Sequence, residues 1–368
     1  MKLVALVHLN ITHKGLIFGW PDMRVSTTNY GDRFVASAIF RQINTANFRS
    51  FMFGQDVPDN IDYAVVRGST YLHHQFQFEK ANRTIDSINA PVALVGLGAQ
   101  NSTQDPRFLD GNSDARSFVA RLNEKCSSIS VRGDFTAKVV ERLGGKNIRV
   151  TGCPTLFYHL RTPEIAVPEM LRGQRRSLAI STHIALGKTM FCRDPDLTLA
   201  LQGRTITHAI KNSAVTTIYE QGTRLEYDVA DRSLAFGERL RAAQGAVSKL
   251  KADLYLSPLD LMVRTVSVRT VEEWIARMRD HDAAIGFRFH GNMVAMVAGR
   301  PSFYFTYDSR LSEFCDLYHL PSRAIEDGWQ DPIQAILDHD WAETNRRFAK
   351  AFGELKAFYE ENGVDHTL

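Results

Sequence analysis

The stretch IGFRFHGNMVAMVAGRPSFYFTYDSR, residues 285–310, reads as a buried strand followed by a small-residue helix, with Arg288 and His290 two residues apart at the seam. The surrounding residues are otherwise apolar or small, so a guanidinium and an imidazole there are costly to desolvate unless something negative meets them. The helix that starts near Gly291 and Asn292 brings unpaired N–H groups and the positive end of its dipole to the same point. Together these make an anion site; an internal salt bridge, to Asp308 or Glu220, is the structural alternative. Arg132 has the same placement, directly after the apolar strand of SSISVRG, with Gly133 turning the chain and Asp134 or Thr136 available to cap the next helix. A planar guanidinium fork in such a place suits a carboxylate or a phosphate.

Other strand ends carry weaker signals. In TTNYGD (27–32), Asn29 and Asp32 stand where helix N–H groups lack partners, and serve as N-caps, as substrate contacts, or as both. Arg67 ends the apolar strand of DYAVVRG and calls for a salt bridge across the sheet top or a ligand. Gln100 lies in GLGAQNS, whose glycines allow close approach of a ligand but lack the third glycine of a dinucleotide fingerprint. His183 and Glu220 each follow an apolar strand and could work as acid or base. Cys153, in TGCPTLF, has no obvious base around it and reads as a buried structural thiol. The adjacent His73 and His74 cannot share one face, and no HExxH pattern occurs, so no metal is expected.

All of these residues need strand ends to hold them. Strand-like runs at 2–9, 62–68, 90–100, 127–133 and 147–154 alternate with helical patterns such as Val35, Ile39 and Ile43. Two prolines and clustered arginines in 161–177 break the rhythm. Strands at 177–182, 214–222, 252–258, 283–287 and 302–307 then alternate with helices at 195–212, 229–244, 271–280 and 290–298. Trp341, Phe348, Phe352 and Leu355 share one face of a last helix at 341–362. The pattern predicts an α/β chain of two Rossmann-like, doubly wound domains facing a cleft: 1–165, a linker at 166–176, 177–340, and a C-terminal helix at 341–368 docked back.

Composition narrows the partners. The 368 residues are 44% hydrophobic and 23% charged, with a net charge of +3. That mild basicity does not argue for nucleic acid; it is compatible with anionic substrates or with peripheral contact to an anionic membrane face. Four scattered cysteines read as reduced thiols. MKLVALVHLN suits an opening strand better than a signal peptide, and no run of about 20 apolar residues occurs. The expectation is a cytoplasmic protein, with the inner face of the cytoplasmic membrane as the alternative location.

The run AAIGFRFHGNMVAMVAGRPSFYFTYDSR resembles the C-terminal signature of the polysaccharide pyruvyl transferase family: a strand ending Arg-x-His, a small-residue helix, a Gly-x-Pro turn and a strand ending Tyr-Asp. NYGD, SVRGDFTAKVVERLGG and VTGCPTLF are similar to three further motifs of that family, in the right order over about 280 residues. The chain departs from it at Arg67-Gly68, where a Gly-Gly pair is common, and at Ser309-Arg310, where a lysine is common. The resemblance implies the GT-B arrangement and transfer of the carboxyvinyl unit of phosphoenolpyruvate to a hexose of a surface glycan or exopolysaccharide precursor, lipid-linked or free. The product is a pyruvate ketal, and phosphate is lost; no cofactor is implied. Donor contacts then fall to Arg132, Arg288, His290, Gly291, Asn292 and Arg310, and acceptor contacts to Asn29, Asp32, Arg67, Gln100, His183 and Glu220.

On that reading Arg288 and His290 are the catalytic pair. His290, kept protonated beside phosphate, donates to the methylene carbon, and Asp32, Glu220 or His183 takes the proton of the sugar hydroxyl. Two other readings share the scaffold: a GT-B glycosyltransferase that uses a nucleotide sugar, and a non-catalytic glycan-assembly protein.

Overall fold

Apolar runs without in/out alternation become parallel strands buried on both faces, because only that geometry uses both faces of each residue pair. A computed structural model describes residues 2–9, 29–186, 191–251 and 255–368. Its first sheet holds β1 (Val4–Val7), β2 (Phe48–Phe51), β3 (Tyr63–Arg67) and β4 (Val92–Val95), in the order β2-β1-β3-β4. A parallel bridge from Leu97 to Val131 carries the sheet on to β5 (Ile129–Val131) and β6 (Ile148–Val150). Val4 is in register with both Phe48 and Tyr63, which makes β1 a central strand.

The second sheet holds β7 (Ser177–Ser181), β8 (Val215–Tyr219), β9 (Thr265–Val266), β10 (Ala283–Gly286), β11 (Ser302–Thr306) and β12 (Ser322–Ala324). Its order, β12-β11-β10-β7-β8-β9, is that of a doubly wound Rossmann domain. The order reverses between β7 and β10, and in such sheets the crevice opens beyond the carboxyl ends of the strands at that point. The two Rossmann-like halves give the GT-B arrangement. Arg288 follows β10 by two residues and His183 follows β7 by two, so the pair straddles the switch point.

Helices at Tyr30–Gln42, Pro195–Asn212, Val271–Met278, Phe289–Val297 and Trp341–Glu361 agree with the sequence patterns. The expected helix at 229–244 is instead two, Arg224–Ala230 and Phe236–Lys249. Asp231 Oδ1 accepts from Ser233 N and Oγ between them, a local turn that competes with helix. The expected strand at 252–258 lies partly outside the described residues, and Ser257 caps the helix Pro258–Arg264 rather than continuing a strand. The sheet position goes to the two-residue β9.

The last helix returns to the first half. Tyr359 Oη donates to Gln42 Oε1 at 3.0 Å, Gln42 Nε2 to Pro154 O at 2.8 Å, and Arg149 of β6 pairs with Glu354 and Glu361. A groove of about 960 Å³ lies beside this helix, lined by Arg149, Asp316, Glu343 and Lys350; none of the candidate site residues lines it.

Candidate functional site between the two halves

The N-terminus of the helix Tyr30–Gln42 drives into the second half. Asn29 caps it, accepting from Gly31 N at 3.0 Å. Tyr30 is buried and donates its phenol to Glu220 Oε1. A β-carbon on Gly31 would stand 2.2 Å from Nδ1 of His290, so only glycine admits the imidazole. A β-carbon on Gly291 would likewise stand 2.4 Å from Gln221 Nε2 and 2.5 Å from Ser181 Cβ. Strand ends β7 and β8, the helix Phe289–Val297 and a helix of the opposite half therefore meet within van der Waals contact.

Four arginines converge on this seam, and their partners differ. Arg67 Nη1 is paired with Asp32 Oδ1 at 2.9 Å, and its Nε donates to His8 O at 2.8 Å. Arg288 Nη2 is paired with Glu226 Oε2 at 2.9 Å, and its Nε donates to Thr182 O. The sequence offered Asp308 or Glu220 as the internal partner of Arg288; the structure supplies Glu226, 2% exposed, which also accepts from Thr182 Oγ1 and Ile184 N. Arg132, buried, donates to backbone alone, Nε to Gly96 O at 3.0 Å and Nη2 to Gly68 O at 3.5 Å; no carboxylate pairs with it among the described residues. Arg310 Nη2 lies 3.7 Å from Asp308 Oδ2, but that oxygen already accepts from Gln100 Nε2 at 2.7 Å, and Arg310 Nε has no partner. The guanidinium carbons of Arg132 and Arg310, one from each half, both sit 5.8 Å from the ring centre of Phe289.

Burial governs the titratable groups, and the nearby charges add to it. Burial, then the fields of Arg132, Arg310 and Arg67, hold the His290 imidazole well below the usual histidine range. Burial, then Arg288 and Arg310, do the same to His183, whose Nδ1 meets Tyr307 Oη at 2.8 Å. Both rings are thus neutral. Burial, with help from Glu226, pushes the Glu220 carboxyl up to about 7 against hydrogen bonds from Tyr30 and Gly222. Burial also pushes Glu313 up to about 7, although it accepts from Thr136 N and Oγ1. Glu313 comes from the helix Ser309–Tyr318 of the second half and caps the helix Asp134–Arg142 of the first. It, and neither Asp134 nor Thr136, is the cap, and Gly133 makes room for it: a β-carbon there would stand 2.4 Å from Glu313 Cγ. Among the described residues no group of three His, Cys, Asp or Glu side chains could hold a metal, and no helix is long and apolar enough to cross a membrane.

The comparison with known families decides which one the chain belongs to. The polysaccharide pyruvyl transferase family model matches residues 29–309, about three quarters of the chain and every motif above. The chain belongs to the polysaccharide pyruvyl transferase family. Among solved structures this pyruvyl transferase family member is similar to apo OtsA, with 7% identity, 99% of this chain and 98% of that one covered, and a TM-score of 0.47. It is also similar to the UDP-GlcNAc 2-epimerase of Methanocaldococcus jannaschii solved with UDP-GlcNAc and UDP, with 10% identity, 95% and 99% coverage and a TM-score of 0.46. Anabaena HepE in complex with UDP-glucose has 9% identity, 99% and 98% coverage and a TM-score of 0.44. No curated protein matches.

The structure brings the predicted residues of this pyruvyl transferase family chain to one seam in different roles. Arg132, His290 and Arg310 form one cluster, Arg288 and His183 a second, and Asn29, Asp32 and Arg67 a third. Gln100 bridges the halves through Asp308. Asn292 was expected to touch the donor, but it is fully buried: Oδ1 accepts from Ser181 Oγ at 2.8 Å and Nδ2 donates to Phe303 O at 2.7 Å. It ties the helix to β7 and β11. Gly291 provides room for Ser181 and Gln221. Cys153 also needs correcting: an imidazole does face it, with His290 Nε2 at 3.8 Å from Sγ. Sequence reasoning passed over Tyr30, Glu226, Phe289 and Glu313.

Proposed function

We propose that the chain transfers the enolpyruvyl unit of phosphoenolpyruvate to two hydroxyls of a sugar, forming a pyruvate ketal and releasing phosphate. The observation that carries this is the pair Arg132 and Arg310. They are guanidiniums from opposite halves, Arg132 bonded to backbone alone and Arg310 paired only at 3.7 Å with an Asp308 that Gln100 already engages, placed about Phe289 beside His290. A phosphate dianion between them would relieve the repulsion of two largely desolvated cations and close the cleft in one step. Arg288, already neutralised by Glu226, is a poorer place for the phosphate and serves to shape the crevice.

His290 is neutral without ligand because it is buried and, after that, because the field of the surrounding arginines opposes its charge. The arriving anion reverses that field, so His290 takes up a proton as the donor binds and can pass it to the methylene carbon. The carbon that bears the phosphate ester becomes electrophilic, one sugar hydroxyl adds to it, phosphate leaves, and the second hydroxyl closes the ketal. Of the two hydroxyl protons lost, one balances the new methyl group and the other leaves on phosphate. Glu220, whose carboxyl is raised by burial to about 7 while Tyr30 and Gly222 donate to it, is the base we assign to the acceptor. Its partner Tyr30 also lines a cavity of about 610 Å³ with Ser267, Arg269 and Glu273, within the size range of small-molecule sites.

A thermal-shift panel tests the donor. Phosphoenolpyruvate is expected to raise the melting temperature and UDP-glucose to leave it unchanged; the reverse pattern would put a nucleotide-sugar transferase in its place.

A further inference from the structure

Gln221 is the second residue beyond β8. Its neighbour Glu220 has both oxygens occupied, one by Tyr30 Oη and the other by Gly222 N at 2.8 Å. Gln221 is only 4% exposed, yet its Nε2 has no hydrogen-bond partner. A buried amide donor left unpaired is costly, and folded proteins seldom keep one without a use. The unpaired nitrogen lies against Gly291, in the first turn of the nine-residue helix Phe289–Val297. That helix has no side-chain cap at Arg288 and no acidic residue in its first turn, so its leading N–H groups also lack a side-chain acceptor. Two independent sets of unmet donors, a side-chain amide and a helix N-terminus, therefore meet at the β7/β10 switch point.

We propose that Gln221 is a specificity-determining residue that, with the first turn of the helix Phe289–Val297, holds the carboxylate of the donor. This rests on the phosphoenolpyruvate reading above. The division of labour follows from charge. A phosphate dianion calls for full counter-charge and goes to Arg132 and Arg310. A planar monoanion is satisfied by neutral donors: the amide and backbone N–H groups, strengthened by the helix dipole. Phe289, whose ring faces both Arg132 and Arg310, is itself the first residue of that helix turn, so the two subsites adjoin there and one molecule that carries both anions can reach both. An anion with phosphate alone would fill only one end, which makes Gln221 the residue that selects a carboxylate-bearing phosphate ester.

The test uses Gln221→Met, close in length and without donors, in the full chain, with phosphoenolpyruvate and inorganic phosphate as calorimetric probes. The variant is expected to bind phosphoenolpyruvate at least about tenfold more weakly and inorganic phosphate as the wild type does, while Arg132→Met weakens both. Without ligand the variant is expected to melt at or above the wild-type temperature, because it removes an unmet donor; a purely structural glutamine would lower it. Unchanged phosphoenolpyruvate affinity, or equal loss for both probes, overturns the subsite while leaving the donor reading in place. A wild-type protein that ignores phosphoenolpyruvate overturns both.

Discussion

Nδ1 of His290 lies 2.2 Å from the place where a β-carbon on residue 31 would stand, so the imidazole of one half is seated on a glycine of the other. Gly31→Ala should improve helix propensity by about 1 kcal/mol and still be harmful, because the methyl group expels the ring. Displacing a catalytic group by about 1 Å commonly costs on the order of 100-fold in rate, and we expect at least that for transfer from phosphoenolpyruvate. The loss should be strongly non-additive with His290→Ala, since the second change removes the clash partner. A wild-type rate in Gly31→Ala would show that His290 does not need this seat.

Glu226 neutralises Arg288. Removing one partner of a buried pair strands the other charge, which costs about 3–5 kcal/mol, and Glu226→Leu should lose that much in urea denaturation. Replacing both, with Arg288→Met beside Glu226→Leu, should recover most of it, because no uncompensated charge remains. If the double variant is no more stable than Glu226→Leu alone, the pair is not the reason Glu226 matters.

Glu313 predicts a pH dependence. Its carboxyl is raised from 4.5 to about 7 in the folded protein. The native state then binds more protons than the unfolded one between those values, so the contribution to stability is complete below about 4.5 and lost as pH rises through 7. The shift corresponds to roughly 3 kcal/mol as an order of magnitude. In Glu313→Gln the Thr136 hydroxyl can reverse and accept, so the cap survives without a charge. The stability of the variant relative to wild type should increase from pH 5 to pH 8; a difference that stays flat would mean Glu313 is not titrating in this window.

The fold was legible where periodicity was strong. β10 and the helix after it announce themselves by an apolar run broken only by Arg288 and His290. β2 and β12 do not, because FRSF and SRA are short, partly exposed edge strands with no apolar pattern. Residues 229–244 misled because Asp231 and Ser233 form a turn inside an otherwise helical stretch.

The site was half legible for a different reason. Charged residues directly after apolar strands stand out in one dimension, and Arg67, Arg132 and Arg288 were found that way, whereas Arg310 came only from the resemblance to the family. Their partners are set by tertiary contact. Glu226 is 62 residues from Arg288, and Glu313 is 177 from Thr136. Neither RLEYDVA nor SRLSEFCDLY marks its glutamate as buried. The same holds for Asn292, which has the right position for a ligand contact but turns inward because Ser181 and Phe303 use its amide.

In the function proposed here Arg132 and Arg310 hold the phosphate of phosphoenolpyruvate while His290 supplies the proton. Phosphate release from phosphoenolpyruvate, measured against a panel of hexosides with the product checked by mass spectrometry, tests it most directly. We predict release coupled to a pyruvyl ketal in the wild type, and loss of both in Arg132→Met, Arg310→Met and His290→Ala with the fold retained. Full turnover in any of these three variants would contradict the account.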